Sequence, residues 1–228
     1  MSQHQAKQWE VFNEGQAKKH YPQWPNEAMV KLVFGDYLNN KIALKEQAKV
    51  LDIGCGFGNN LLPFLVRGYA CYGTEVTAPM AAQTTFLLKE RGFTADVREG
   101  SNRNLPFESD FFDLVLSINV IHYEGQLDYF RSALNEYKRV LKNNGHLVMF
   151  TVGPEHTIIQ RAKREEPYRY RIQDYDFRDG TFFYCFEKLD NLRQCVSETF
   201  SSVETGRVTE QLMKYTLDFF VAVGQCQK

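Results

Sequence analysis

Residues 50–58 read Val-Leu-Asp-Ile-Gly-Cys-Gly-Phe-Gly, and this run constrains the fold more than any other part of the chain. Val50 to Ile53 is a short apolar strand carrying one acid, Asp52. The strand breaks into Gly54, Gly56 and Gly58, a spacing that lets backbone turn sharply and approach a ligand closely. A dinucleotide site offers a helix N-terminus to a pyrophosphate, where a neighbouring carboxylate would repel it. Asp52 therefore favours a cationic ligand. The spacing also departs from the dinucleotide fingerprint G-x-G-x-x-G, because Asn59 stands at the third glycine position.

Strands and helices alternate after residue 49, the mark of a parallel sheet with helices on both faces. Asn60 to Arg67 reads as a short helix ended by Gly68, Ala70 to Glu75 as the second strand, and Ala78 to Arg91 as a helix stopped by Gly92. Thr94 to Glu99 is a third strand, and Phe112 to Asn119 is an apolar, β-branched run suited to a buried central strand. Leu127, Phe130, Leu134, Tyr137 and Leu141 step by three and four, which predicts an amphipathic helix ended at Asn143-Asn144-Gly145. His146 to Val152 is the fifth strand. A helix on Leu189, Leu192, Val196 and Phe200 precedes two final strands, Ser202 to Thr209 and Tyr215 to Gln225, read as a hairpin.

The run 50–58 resembles the first motif of the class I S-adenosylmethionine (SAM) dependent methyltransferases, an apolar strand ending in Asp-x-Gly-x-Gly-x-Gly. The resemblance covers residues 49–152 in motif and 188–228 in architecture. It implies a Rossmann-like, seven-stranded, mostly parallel sheet with helices on both faces and an antiparallel C-terminal hairpin. It also implies SAM as cofactor and S-adenosylhomocysteine as product. SAM carries a sulfonium and an ammonium group and no phosphate, in agreement with the charge of Asp52. The resemblance assigns Asp52, Gly54, Cys55 and Gly56 to the cofactor turn. Glu75, 21 positions after Gly54, matches the acid that takes the ribose hydroxyls, with Val76 against the adenine face. Ser101 and Asn102 become the adenine-edge contacts and Asn119 the contact beside the methionine part. Many members carry Gly-Asp-Ala-x-x-Leu-Pro-Phe where this chain has Gly-Ser-Asn-Arg-Asn-Leu-Pro-Phe at 100–107, so a charge-assisted bond is lost. Ser117 to Tyr123 lacks the Asn-Pro-Pro-Tyr type of signature, which disfavours amino methylation of DNA bases. His122 and Tyr123, just past the fourth strand, are the catalytic candidates, since a histidine there accepts a proton near neutral pH.

At 228 residues the chain forms one domain with a real core. A formal net charge of -1 excludes a global basic field for nucleic acid or an anionic membrane. The five cysteines are odd in number and widely spaced without a CxxC pair, so neither a metal site nor a disulfide framework is expected. There is no long apolar span and the N-terminus is polar, so a reducing cytoplasm is the expected compartment.

Two segments fall outside the resemblance, residues 1–48 and 153–187. In the first, Val30, Val33, Phe34, Tyr37 and Leu38 form a helix stripe suited to core packing, and Tyr21-Pro22-Gln23-Trp24-Pro25 reads as a lid over the ligand, with Trp24 touching substrate. The second carries Arg161, Lys163, Arg164, Arg169 and Arg171 with interleaved Tyr168, Tyr170 and Tyr175. It reads either as a solvated charged helix followed by a loop, or as a local patch in which Arg161, Arg164, Tyr168 and Arg169 bind a small anionic acceptor. A small-molecule methyltransferase is the leading function. The alternatives are a SAM-binding regulatory protein without turnover and an NAD-type oxidoreductase.

Overall fold

The computed structural model describes residues 3–18 and 24–228. Helix α1 (Gln3–Lys18) and helix α2 (Glu27–Phe34) precede the first strand. Then come β1 (Lys49–Ile53), α3 (Leu62–Leu65), β2 (Ala70–Glu75), α4 (Ala78–Glu90), β3 (Asp96–Glu99), β4 (Phe112–Ile118), α5 (Leu127–Val140) and β5 (Leu141–Val152). After α6 (Thr157–Gln160), the short strands β6 (Lys163–Glu166), β7 (Arg169–Arg171) and β8 (Phe182–Tyr184) precede α7 (Leu189–Ser197). The chain closes with β9 (Ser201–Leu212) and β10 (Tyr215–Gln225).

One seven-stranded sheet has the order β3-β2-β1-β4-β5-β10-β9. Strands β1 to β5 pair parallel, and β10 runs antiparallel to both β5 and β9. This is the Rossmann-like sheet with a C-terminal hairpin that the resemblance implied, built on the parallel strands that the alternation of elements predicted. Successive residues of the central strands face opposite layers, as the two-residue period of a strand requires. Leu147 and Met149 join the layer of α5 and α7, while Val148 and Phe150 join the layer of α2, α3 and α4. Helix α5 buries Phe130, Ala133, Leu134, Tyr137 and Val140 on one face, with Asp128 in its first turn and Lys138 and Arg139 in its last, which complements the helix dipole.

Most element ends shift by a few residues from the sequence reading, and two departures bear on the site. Strand β5 begins at Leu141 rather than His146, because Phe112 pairs with Leu141 and a register shift before the Leu114–His146 pair absorbs the intervening residues. Asn144 sits there with φ +65°, a left-handed conformation that asparagine tolerates. The segment 163–171 is not a charged helix. Strands β6, β7 and β8 form a separate three-stranded antiparallel sheet. Every residue of β6 is exposed, so no apolar alternation announced it. Ile158, Ile159, Ile172, Phe183 and Cys185 seal this sheet against Val152 in a small core of their own.

Asp218 fastens the insertion to the main sheet. It is fully buried on β10 and accepts from Arg207 Nε at 2.6 Å, Arg207 Nη2 at 3.0 Å, Thr209 Oγ1 at 3.0 Å and the Glu155 N–H at 2.8 Å. Asp218→Ala would orphan these donors and is expected to cost about 2–4 kcal/mol, with Asp218→Asn costing less. Urea denaturation of the three proteins tests this, and coincident midpoints would refute it.

Candidate functional site

The strand order reverses between β1 and β4, the switch point at which open parallel sheets hold ligands beyond their carboxyl ends. A cavity of about 350 Å³ opens there. Its floor is the glycine turn. Gly54 has φ +63°, and a Cβ on it would lie 2.6 Å from Val120 Cγ1, so both the conformation and the contact exclude a side chain. Gly56 has φ +56° and nothing within 4 Å of where a Cβ would stand, so the bare backbone faces open space. The turn is held from behind by Thr84 Oγ1, which donates to the Gly56 carbonyl, and by Glu75, whose Oε1 accepts from the Gly56 N–H.

Glu75 ends β2 and is buried, accepting also from the Val76 N–H at 3.3 Å. Burial pushes its pKa up to about 7, against the opposing pull of those two backbone donors. Asp52 is 1 % exposed, and the Asn60 side chain, short of a well-formed hydrogen bond, is what favours its ionised form. Burial and the nearby charge of Glu75 push its pKa up to about 8. Without a cation the site therefore favours the protonated acid at Asp52 near neutral pH. At the end of β4, Asn119 takes φ +61° and leaves its buried Oδ1 unpaired beside the same cavity. Orphaned acceptors and an acid awaiting a positive charge suit a cationic, hydrogen-bonding ligand.

Gly54, Gly56, Glu75, Val76, Ser101, Asn102, Asn119 and Tyr123, all singled out from sequence, line the cavity together. Asp52 and Cys55 lie one layer beneath. The Cys55 N–H is spent on the Thr74 carbonyl at 3.0 Å, its carbonyl accepts from Gly58 at 2.9 Å, and its thiol packs where Gly73 leaves room. Asn102 is locked by a network, accepting from Tyr137 Oη at 2.7 Å and donating to Glu124 Oε1 at 2.9 Å, while Arg103 Nε donates to Glu124 Oε2 at 2.7 Å.

The structure does not bring His122 to the cavity. The ring is buried against Phe183, and its Nδ1 accepts from the Val152 N–H at 3.3 Å. Burial holds its pKa well below 6.5, so it stays neutral. Tyr123 does reach the cavity. Burial raises its phenol pKa to about 12, and its oxygen accepts from Arg178 Nε at 2.8 Å, which leaves the hydroxyl proton to donate.

The five sequence candidates for substrate contact lie elsewhere. Trp24 is 78 % exposed and outside the cavity, and Tyr21 to Gln23 lie outside the described residues. Arg164 pairs with Glu187 at 2.8 Å, Arg169 pairs with Glu166 at 3.0 Å and stacks on Phe182, Arg161 lies over Tyr215, and Tyr168 packs on Tyr184 and Phe186. Instead, the roof is α1, through Ala6, Trp9 and Asn13. Their spacing of three and four was the legible signal, since it puts them on one helix face. The insertion reaches this roof through Phe177, stacked on Phe12 at 4.4 Å and edge-on to Trp9 at 4.8 Å, and through Arg178.

The two raised acids make a pH signature. Each holds a proton in the folded state that the unfolded chain has released, so stability falls as pH rises toward the folded pKa. His122, His146 and His156 have depressed values and act oppositely below about pH 6.5, leaving the acids alone in the window from there to about 8. The ligand-free protein is expected to lose thermal stability across that window, and Asp52→Asn to flatten the slope. Calorimetry showing stability rising from pH 6.5 to 8 would contradict the assignment.

Residues 51–149 match the protein-family model described as a methyltransferase domain. An uncharacterized protein of Methanocaldococcus jannaschii is 31 % identical over 156 residues, covering 63 % of this chain and 64 % of its own length. An uncharacterized methyltransferase of Bacillus subtilis is 29 % identical over 106 residues, covering 46 % and 41 %. The chain thus spans less than two thirds of either relative. A crystal structure of a SAM-dependent methyltransferase from Methanosarcina mazei superposes with a TM-score of 0.68 at 17 % identity, covering 81 % of this chain and 94 % of that one. The strand order and the glycine turn after β1 agree with the methyltransferase-domain match of residues 51–149, and the chain has the fold of the Methanosarcina mazei SAM-dependent methyltransferase.

Proposed function

We propose that this chain transfers the methyl group of SAM to a small-molecule acceptor. The observation that carries the reading is the roofed cavity. At about 350 Å³ it lies at the low end of small-ligand sites, and α1 covers it. Such a space suits the cofactor and a compact acceptor better than a macromolecular surface. No helix among the described residues is long and apolar enough to cross a membrane.

On this reading the backbone of Gly54 and Gly56 cradles the methionine part of the cofactor. Asn119 Oδ1 accepts from its ammonium group, Glu75 takes the ribose hydroxyls, and Val76 lies against adenine. The loop at Ser101 and Asn102, stiffened by Tyr137 and Glu124, meets the adenine edge. Asp52 acts through the turn by charge, since it does not touch the cavity. Bound SAM supplies a methyl group on a positively charged sulfur, ready for in-line displacement. The protein's share is alignment and exclusion of water, which α1 and the Trp9 ring provide. Tyr123 keeps its proton and orients the acceptor by donating to it. His122 serves as packing and as an acceptor for β5, not as a base.

The reading also replaces the anion patch of the insertion. Arg164 and Arg169 are paired with glutamates, and Arg161 and Arg169 lie over rings, all away from the cavity.

Cation binding draws Asp52 toward its ionised form, so SAM affinity is expected to rise with pH toward about 8 and to release protons, and Asp52→Asn to reduce the pH dependence to the part that Glu75 carries. Asp52→Asn and Glu75→Gln should each weaken SAM binding by about tenfold or more. Titration calorimetry in buffers of different ionisation enthalpy reads both. Supplied with a dialysable metabolite fraction, the protein should accumulate S-adenosylhomocysteine, and with the macromolecular fraction it should not. Turnover confined to the macromolecular fraction, or unchanged binding in both variants, would defeat the proposal.

A further inference from the structure

The roof of the cavity carries a hydrogen-bonding group that no other described residue uses. Asn13 is only 7 % exposed, lines the cavity, and makes no side-chain hydrogen bond to another described residue. A ligand in the cavity would take up the hydrogen bonds that this amide otherwise leaves to water. One turn earlier on the same face of α1, Trp9 also lines the cavity. Its ring lies 5.6 Å from that of Tyr123 at an interplanar angle of 72°. Two aromatic walls and one amide meet at this end of the site.

The charges around this end are already consumed. Glu124 gives one oxygen to Asn102 and the other to Arg103. Arg178 pairs with Asp176, donates to Tyr123 Oη at 2.8 Å, and lies over the rings of Trp9 and Phe177. An ionic acceptor entering here would lose its water and find no free counter-charge, which disfavours it. A flat, uncharged ring would lose little and gain contact with both aromatic walls.

We propose that the acceptor is an uncharged planar ring compound, resting against Trp9 and Tyr123 where they line the cavity and recognised through a ring heteroatom or substituent by the Asn13 amide. This rests on the methyltransferase reading above and adds to it the chemical class of the acceptor. Asn13 and Trp9 are specificity-determining residues, and Arg178 is a positioning residue for both ring walls.

Trp9 and Trp24 are the two tryptophans, and Trp24 is exposed away from the cavity, so Trp24→Phe makes Trp9 the sole fluorescent reporter. That variant, saturated with S-adenosylhomocysteine, is titrated with quinoline, quinoline-4-carboxylate and N-methylquinolinium at pH 7.5. Quinoline should quench Trp9 saturably and bind about tenfold or more tighter than either charged analogue. In calorimetry, Asn13→Leu and Trp9→Ala should each weaken quinoline by about tenfold, more than they weaken S-adenosylhomocysteine, while Trp9→Phe keeps most of the affinity. Retained S-adenosylhomocysteine binding certifies that each variant is folded. Equal affinity for the charged analogues, absence of saturable quinoline binding, or quinoline affinity indifferent to Asn13 and Trp9 would each overturn the proposal. Failure of the unmodified chain to bind S-adenosylhomocysteine would instead overturn the methyltransferase reading beneath it.

Discussion

Glu75 accepts a hydrogen bond from the backbone N–H of Gly56, and this contact joins the end of the second strand to the turn after the first. The parallel register of β1 with β2, in which Ile53 lies beside Thr74, brings the two groups together. Glu75 is removed from water by this arrangement, and Asp52, one layer below, shares the same desolvated ground. Two acids at the ends of neighbouring strands are an unfavourable pair in a cofactor-free protein. They become favourable when a positively charged ligand occupies the turn. The site thus holds back part of its binding potential until the ligand supplies the missing charge.

The upper half of the site is built differently. Helix α1 contributes no described residue to the two large cores that flank the sheet, and it is held by ring contacts and by a hydrogen bond from Gln5 Nε2 to Thr181 Oγ1 at 3.3 Å. Trp9, Phe12 and Phe177 interleave, and Arg178 lies over two of those rings while donating to Tyr123. Two segments distant in sequence therefore close one wall of the cavity. Asp218 completes the connection by holding the Glu155 backbone, where the insertion leaves the main sheet.

The central sheet was legible in the sequence because its signals are local. The apolar runs at 50–53 and 112–118, the stepping of Phe130, Leu134 and Tyr137, and the glycines after β1 report period and turn geometry within a few residues. Strand β2 matched its predicted span, Ala70–Glu75. The insertion was not legible. Strand β6 is four exposed charged residues, and its pairing is dictated by Arg169 to Arg171 and Phe182 to Tyr184 rather than by its own pattern. The family motifs named the floor of the site for the same reason that the sheet was readable, since a strand end and its turn are contiguous in sequence.

Which side chains face the cavity was another matter. His122 and Tyr123 are neighbours in sequence, yet the short helical turn that carries them sends one ring into the core and the other to the cavity. The arginines of 161–171 have a suggestive composition, but antiparallel pairing puts Arg164 and Arg169 beside glutamates and Arg169 over a ring. Asn13 and Trp9 carry no motif, and only the docking of α1 makes them part of the site. By itself the sequence determined the sheet, the turn and the resemblance of that turn to a methyltransferase motif. Only the tertiary structure decided where each charge is neutralised and what roofs the ligand, because pairing and burial depend on residues brought together from distant parts of the chain.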